Sequence, residues 1–380
     1  MEMLIGVVLI SSAAAALYFF GISYQTNDEE IWNGQIEGKE KVRVSCGHSY
    51  ECGCSVGSSS SSCSTCYEHN FDVDWVLHTS AGDITINRVD RRGLEIPPTW
   101  EAAYISEPVS TVNTYTNYIQ AAPSSLFNDA IYNIDDRFKN LIPEYPLDLT
   151  NEYSYNHVRA IGVEVVELNK WNSMLAEVLK TLGSEKQVNA LILIVDTNDP
   201  KYLHALEKHW LKGNKNDVIL VLGVTQHPAI DWVGVMSWSP SELFKVKMRD
   251  EIKSIGKVDP NSIIPVIEKH LSQSFERMQM KDFSHLQGEI EPPKEVILWV
   301  LAIVILGPII YTFFAHKFDT TALLRVPVSL ILFGLVAKAI FTFGIFITIP
   351  AIILLGYLTA RVVTYFKDRK KSSEEPEQKN

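Results

Sequence analysis

Uncharged apolar runs at both ends of the chain constrain its fold more than any other feature. Met3–Ile22 (MLIGVVLISSAAAALYFFGI) carries no charged side chain, and three further runs crowd Val296–Phe366. About 20 apolar residues in a helix cross a hydrocarbon core of about 30 Å, so the expected architecture is a multi-span α-helical membrane protein. Met3–Ile22 reads as a retained anchor; cleavage after the small residues Ala13–Ala16 is the alternative. Val296–Ala315 reads as a second span. Beyond the polar break His316–Thr321, the mostly apolar stretch to Phe366 is too long for one helix and reads as two, turning near Phe341–Gly344. Lys338 inside it costs about 2.5–3.5 kcal/mol at a bilayer centre and less at a turn. The basic cluster Lys367–Lys371 is expected in the cytoplasm, which places residues 23–294 outside. The boundaries that follow are an anchor at 1–23, a linker and cysteine-rich module at 24–70, a β-hairpin and proline-punctuated region at 71–154, an α/β domain at 155–291, three transmembrane helices at 295–366, and a disordered tail at 367–380, basic then acidic.

Residues 23–294 hold 25 Lys and Arg against 38 Asp and Glu, a net charge of −13. Phosphate binding needs concentrated positive charge, so no nucleic-acid partner is expected. All five cysteines lie within 21 residues: Cys46, Cys52, Cys54, Cys63 and Cys66, with His48 and His69 beside them. In a reducing compartment such a set surrounds a tetrahedral zinc ion. In an oxidising one it forms disulfides and leaves one thiol over. An external location favours disulfides, and either bond fixes a segment with too few apolar side chains for a core.

Trp75, Leu77, Ile84 and Ile86 alternate through two β-rich runs flanking Gly82, the pattern of a hairpin. Short helices are expected around Tyr115–Gln120 and Ser125–Phe138. Arg88, Arg91 and Arg92 read as an exposed strand end, with an anion grip as the alternative. From residue 155 the pattern changes. Strand-like runs at His157–Val166, Asn189–Val195, Asp217–Gly223 and Ile230–Trp238 alternate with helical spacing at Asn169–Leu182, Pro200–Leu211, Pro240–Ser254 and Asn261–Met278. Strands separated by helices of this length predict a three-layer α/β domain with a largely parallel sheet.

Within that domain, Tyr202–Gly223 (YLHALEKHWLKGNKNDVILVLG) resembles the core of the TPM (thylakoid–periplasm) domain. The matching positions are Trp210, Gly213, Asn216 and Val218–Leu222, preceded by Leu191–Val195. Phe275–Leu286 is similar to that domain's closing segment, and IDWVGVMSW departs from its Gly-Tyr-Gly turn. The overall architecture also resembles uncharacterised membrane proteins of large tailed phages. The TPM resemblance implies an extracytoplasmic domain, and metal-dependent phosphatase activity in some relatives.

No phosphate-binding loop, dinucleotide fingerprint, nucleophile elbow or HExxH motif occurs. Asp196 and Asp199 follow the strand Leu191–Val195, where open α/β sheets place ligands, and could hold Ca²⁺ or Mg²⁺. The same residues also suit a loop and a helix cap. His209 reads as a helix-surface residue, and Trp210, Trp232 and Trp238 as core anchors. The functional expectation is a membrane-anchored extracytoplasmic binding or assembly protein with a protein partner and no catalytic activity; the alternative is a metal-dependent phosphohydrolase.

Overall fold

A computed structural model describes residues 2–56, 61–122 and 137–315. Contacts divide the chain into two compact units, one comprising residues 1–27 and 288–380, the other residues 28–287.

In the first unit, α1 spans Glu2–Thr26. Its partner, the last helix described, spans Lys294–Ala315. The two run antiparallel, because Gly21 lies against Pro292 and Val296 whereas Ile10 lies against Gly307. A Cβ on Gly21 would stand 2.7 Å from the Pro292 Cβ, so only glycine permits this approach. Ser11, Ala14 and Ala15 are buried as well.

Among the described residues, no helix is long and apolar enough to cross a membrane. This corrects the expected multi-span α-helical membrane protein, and with it the integral, multi-pass localisation and the cytoplasmic C-terminus inferred from the basic cluster Lys367–Lys371. Part of the apolar surface of these two helices is turned against the other helix, at Gly21 and Gly307, rather than outward. The last two expected spans, Lys338 and the tail lie outside the described residues.

The second unit contains twelve strands among the described residues. β1 runs over Asn27–Val44, β2 over Ser49–Val56, β3 over Ser61–Tyr67, β4 over Asp72–Thr79 and β5 over Ile84–Ile86. The short α2 (Pro98–Ala102), β6 (Pro108–Thr116) and α3 (Tyr118–Ala121) follow. A helix was expected from Tyr115; instead Tyr115 and Thr116 end β6, and Asn117 caps α3 through the Gln120 amide. The helix expected at Ser125–Phe138 lies largely outside the described residues.

β1, β4, β5 and β6 form one sheet, in the order β5-β4-β1-β6. The expected hairpin is β4–β5, with Trp75 opposite Ile86 and Leu77 opposite Ile84. All four side chains are buried together with Ile36, Val73 and Val109. β1 was read as a linker because its sequence, NDEEIWNGQIEGKEKVRV, has little apolar alternation; it is a long strand that feeds Ile31 into one core and Ile36 into another.

The remaining elements are β7 (Leu149–Thr150), β8 (Ser154–Tyr155), β9 (Val158–Ile161), α4 (Leu168–Lys186), β10 (Asn189–Val195), α5 (Lys201–Trp210), β11 (Asp217–Gly223), β12 (Trp232–Ser237), α6 (Glu242–Ile255) and α7 (Pro260–Ser274). A 3₁₀ segment at Met280–Glu289 leads to α8, the Lys294–Ala315 helix. The second sheet has the order β12-β11-β10-β9; β9, β10 and β11 are parallel and β12 is antiparallel. β10 and β11 are buried on both faces, as their uninterrupted Val, Leu and Ile content requires. One face packs against Trp171, Leu175 and Leu179 of α4, Phe244 and Met248 of α6, and Ile263 and Ile267 of α7. The other packs against Tyr202, Leu206 and Trp210 of α5 and the segment from Phe138 to Leu149.

Candidate functional site

The cysteines resolve into two roles. Cys52–Cys66 and Cys54–Cys63 are disulfides, and Cys46 is a buried free thiol. Both disulfides cross the antiparallel ribbon β2–β3, where Tyr50 pairs with Cys66 and Cys52 with Ser64. Zinc held by these four cysteines is thereby corrected. The antiparallel register brings their sulfurs within bonding distance, and a sulfur in a disulfide is no longer an anionic ligand.

The base of the ribbon gathers the remaining thiol with two other side chains. β1 and β4 are antiparallel neighbours with Val44 opposite Asp72, so the ends of the inserted ribbon return to one point. There the Glu68 amide donates to the His48 carbonyl at 3.2 Å. Cys46 Sγ lies 3.7 Å from His69 Nε2, and the same nitrogen contacts Asp72 Oδ1. The ligand atoms of Cys46, His69 and Asp72 all lie within 4.8 Å of one another. Asp72 Oδ2 accepts from the Gly47 amide at 3.1 Å and pairs with Arg88 at 3.0 Å. The Gly47 amide above all, then His69 and Arg88, holds the Asp72 carboxyl well below the usual carboxylate range. A nucleophile–base–acid relay gives each imidazole nitrogen its own partner. Here one nitrogen faces both the thiol and the carboxylate, an arrangement suited to ligation rather than to proton relay.

The other sequence-derived candidates lie elsewhere. Asp196 is exposed at the carboxyl end of β10. Asp199 accepts from the Lys201 amide at 3.0 Å and from Arg137 at 3.1 Å, which is the work of a helix start. Among the described residues, Asp196 and Asp199 belong to no cluster of three or more metal-ligating side chains. Arg88 joins Asp72 and Asp74, and Arg91 lies 3.8 Å from Glu68. Trp210 donates from Nε1 to the Pro143 carbonyl, Asn216 donates to the Ile31 carbonyl, and Gly213 adopts φ +76° against Asp217. These positions hold the fold. His209 is partly exposed, 3.8 Å from Glu144.

Two buried polar groups escaped sequence reasoning. At the amino end of β11, Asp217 accepts from the Asn214 amide, the Tyr145 hydroxyl and Asn189 Nδ2 at 2.7–2.9 Å; burial pushes its pKa up to about 6. Nearby, the fully buried Glu30 pairs with Arg277 and with Lys215. The signal was present in Asn214-Lys215-Asn216-Asp217, a polar run entering a wholly apolar strand. A separate cleft of about 320 Å³ is lined by Asn33, Ser110, Tyr153, His157, Asn172 and Glu177, among others. His157 is buried with Nδ1 lacking a hydrogen-bond partner, and burial lowers its pKa to about 3.

In comparisons with protein-family models, curated proteins and solved structures, nothing matches this chain.

Proposed function

We propose that this chain is a non-catalytic binding or assembly protein of an oxidising compartment, engaging a protein partner through the ribbon β2–β3. The observation that carries this reading is the placement of both disulfides. They cross-link a ribbon whose described side chains are largely exposed and which contributes nothing to the apolar clusters. Cross-links that support no core still serve to present a surface in one conformation, which lowers the ordering cost of association. Tyr50 and Tyr67, 53% and 58% exposed, sit at the ribbon base, and exposed tyrosines are common anchors in protein interfaces. Cystines persist where the surroundings are oxidising, which supports the compartment.

The TPM resemblance forms part of this reading, with Trp210, Gly213 and Asn216 as framework positions. A phosphohydrolase using Ca²⁺ or Mg²⁺ at Asp196 and Asp199 has no comparable observation in its favour, because the Asp199 carboxylate already meets an amide and a guanidinium. Zinc on the four ribbon cysteines would require both cystines to be reduced.

A photo-crosslinking residue placed at Tyr50 or Tyr67 in the producing cell tests the proposal. It should give one discrete adduct, and the adduct should be lost when Cys52 and Cys66 are both replaced by serine. No discrete adduct from either position, or the same products from a probe at the exposed Tyr104, overturns it.

A further inference from the structure

The fifth cysteine remains after both cystines form, and its surroundings are those of a ligand. We propose that Cys46, His69 and Asp72 bind one divalent transition-metal ion, Zn²⁺, at the base of the ribbon. The inference is independent of any partner on the ribbon.

Thiolate, imidazole and carboxylate are the three side-chain donors that zinc takes in proteins. Here they come from three places: the β1–β2 connection, the β3–β4 connection and the first residue of β4. The fold therefore converges them, which sequence proximity alone would not do. Cys46 is 7% and Asp72 2% exposed, so the donors face inward rather than into solvent. The two oxygens of Asp72 are differentiated. Oδ2 is taken by the Gly47 amide and Arg88, leaving Oδ1 toward His69 and the thiol. Outer partners that fix a carboxylate in this way are a regular part of metal sites. Arg88 is itself fixed, since its Nε donates to Asp74 Oδ1 at 2.8 Å.

The Cys46 thiol donates to the His48 carbonyl at 3.5 Å. A tetrahedral ion has one position beyond the three donors, which water would fill. Binding releases one proton: the Cys46 sulfhydryl loses it to solvent as the S–Zn bond forms, while the neutral His69 ring moves its proton from Nε2, where it meets Asp72, to Nδ1, freeing the Nε2 lone pair for the ion. The ion would tie the ends of β1 and β4 to the ribbon that the cystines stiffen.

The test uses the full chain with both cystines intact, stripped with a chelator and titrated with Zn²⁺ by calorimetry and with Co²⁺ by absorption. One ion per chain and a thiolate-to-cobalt charge-transfer band are expected. Cys46→Ser should abolish the band, and Arg88→Gln should weaken Zn²⁺ binding about 10–100-fold while keeping the band. The wild-type chain provides a second measurement that does not depend on a variant's folding: Zn²⁺ should protect Cys46 from alkylation, and a chelator should restore the rate. Absence of stoichiometric uptake, a cobalt band that survives in Cys46→Ser, or an alkylation rate indifferent to Zn²⁺ each overturns the proposal.

Discussion

Replacing His157 by phenylalanine should make the two forms of the protein exchange their order of stability with pH. His157 is buried, and its pKa lies near 3 against an ordinary 6.5 because the charged ring cannot be solvated there. Its contribution to stability is complete above pH 6.5 and is lost as pH falls toward 3. Asp217 has the opposite sign. Its pKa is raised from 3.8 to about 6, so its contribution is complete below 3.8 and is lost as pH rises through 6. Each slope is about 1.4 kcal/mol per pH unit, and between pH 4 and 6 the two oppose and cancel. Phenylalanine removes one of them. Its ring preserves the edge-to-face contact with Tyr155, now at a centroid distance of 4.8 Å. It loses the hydrogen bond to the Ala190 backbone, which costs about 1 kcal/mol at neutral pH. Relative to wild type, the variant then gains about 3 kcal/mol between pH 6.5 and pH 4. It should be about 1 kcal/mol the less stable form at pH 7 and about 2 kcal/mol the more stable form at pH 4. Urea unfolding followed by tryptophan fluorescence at four pH values measures this, and other titrating groups drop out of the difference. A difference that stays constant from pH 7 to pH 4 would refute a buried neutral imidazole at this position.

Glu30→Gln removes the anion that Arg277 and Lys215 share inside the protein and leaves two cations facing an amide. The expected loss is about 3–5 kcal/mol in urea unfolding; a loss below about 1 kcal/mol would mean that water reaches the site and that the cations do not depend on Glu30. Leu179→Ala opens a cavity beneath α4, where the side chain is fully buried, and should cost about 2–5 kcal/mol by the same measurement.

Much of the α/β layer was legible in the sequence. Asn189–Val195 and Asp217–Gly223 are strands at the expected bounds, because a run of β-branched and leucine residues with no polar side has only a doubly covered strand to occupy. The hairpin at Trp75–Ile86 was legible for the complementary reason, since alternation of period two fixes one buried face. β1 was not, because its pairing with β4 depends on partners 28 or more residues away and leaves little apolar trace in the strand itself. Met3–Ile22 and Val296–Ala315 do form helices, but among the described residues no helix is long and apolar enough to cross a membrane, and these two pack against each other, a pairing that hydropathy does not record.

The candidate site divides in the same way. Composition and spacing pointed to a cross-link among Cys46, Cys52, Cys54, Cys63 and Cys66, since a serine-rich segment with few apolar side chains needs one. Which cysteines pair, and which one is left, is a matter of register across β2 and β3. That Asp72 stands beside Cys46 and His69 follows from the antiparallel pairing of β1 with β4, which closes a connection of 27 residues onto itself. The sequence lists donors along a line; only the returning backbone brings them within one coordination radius.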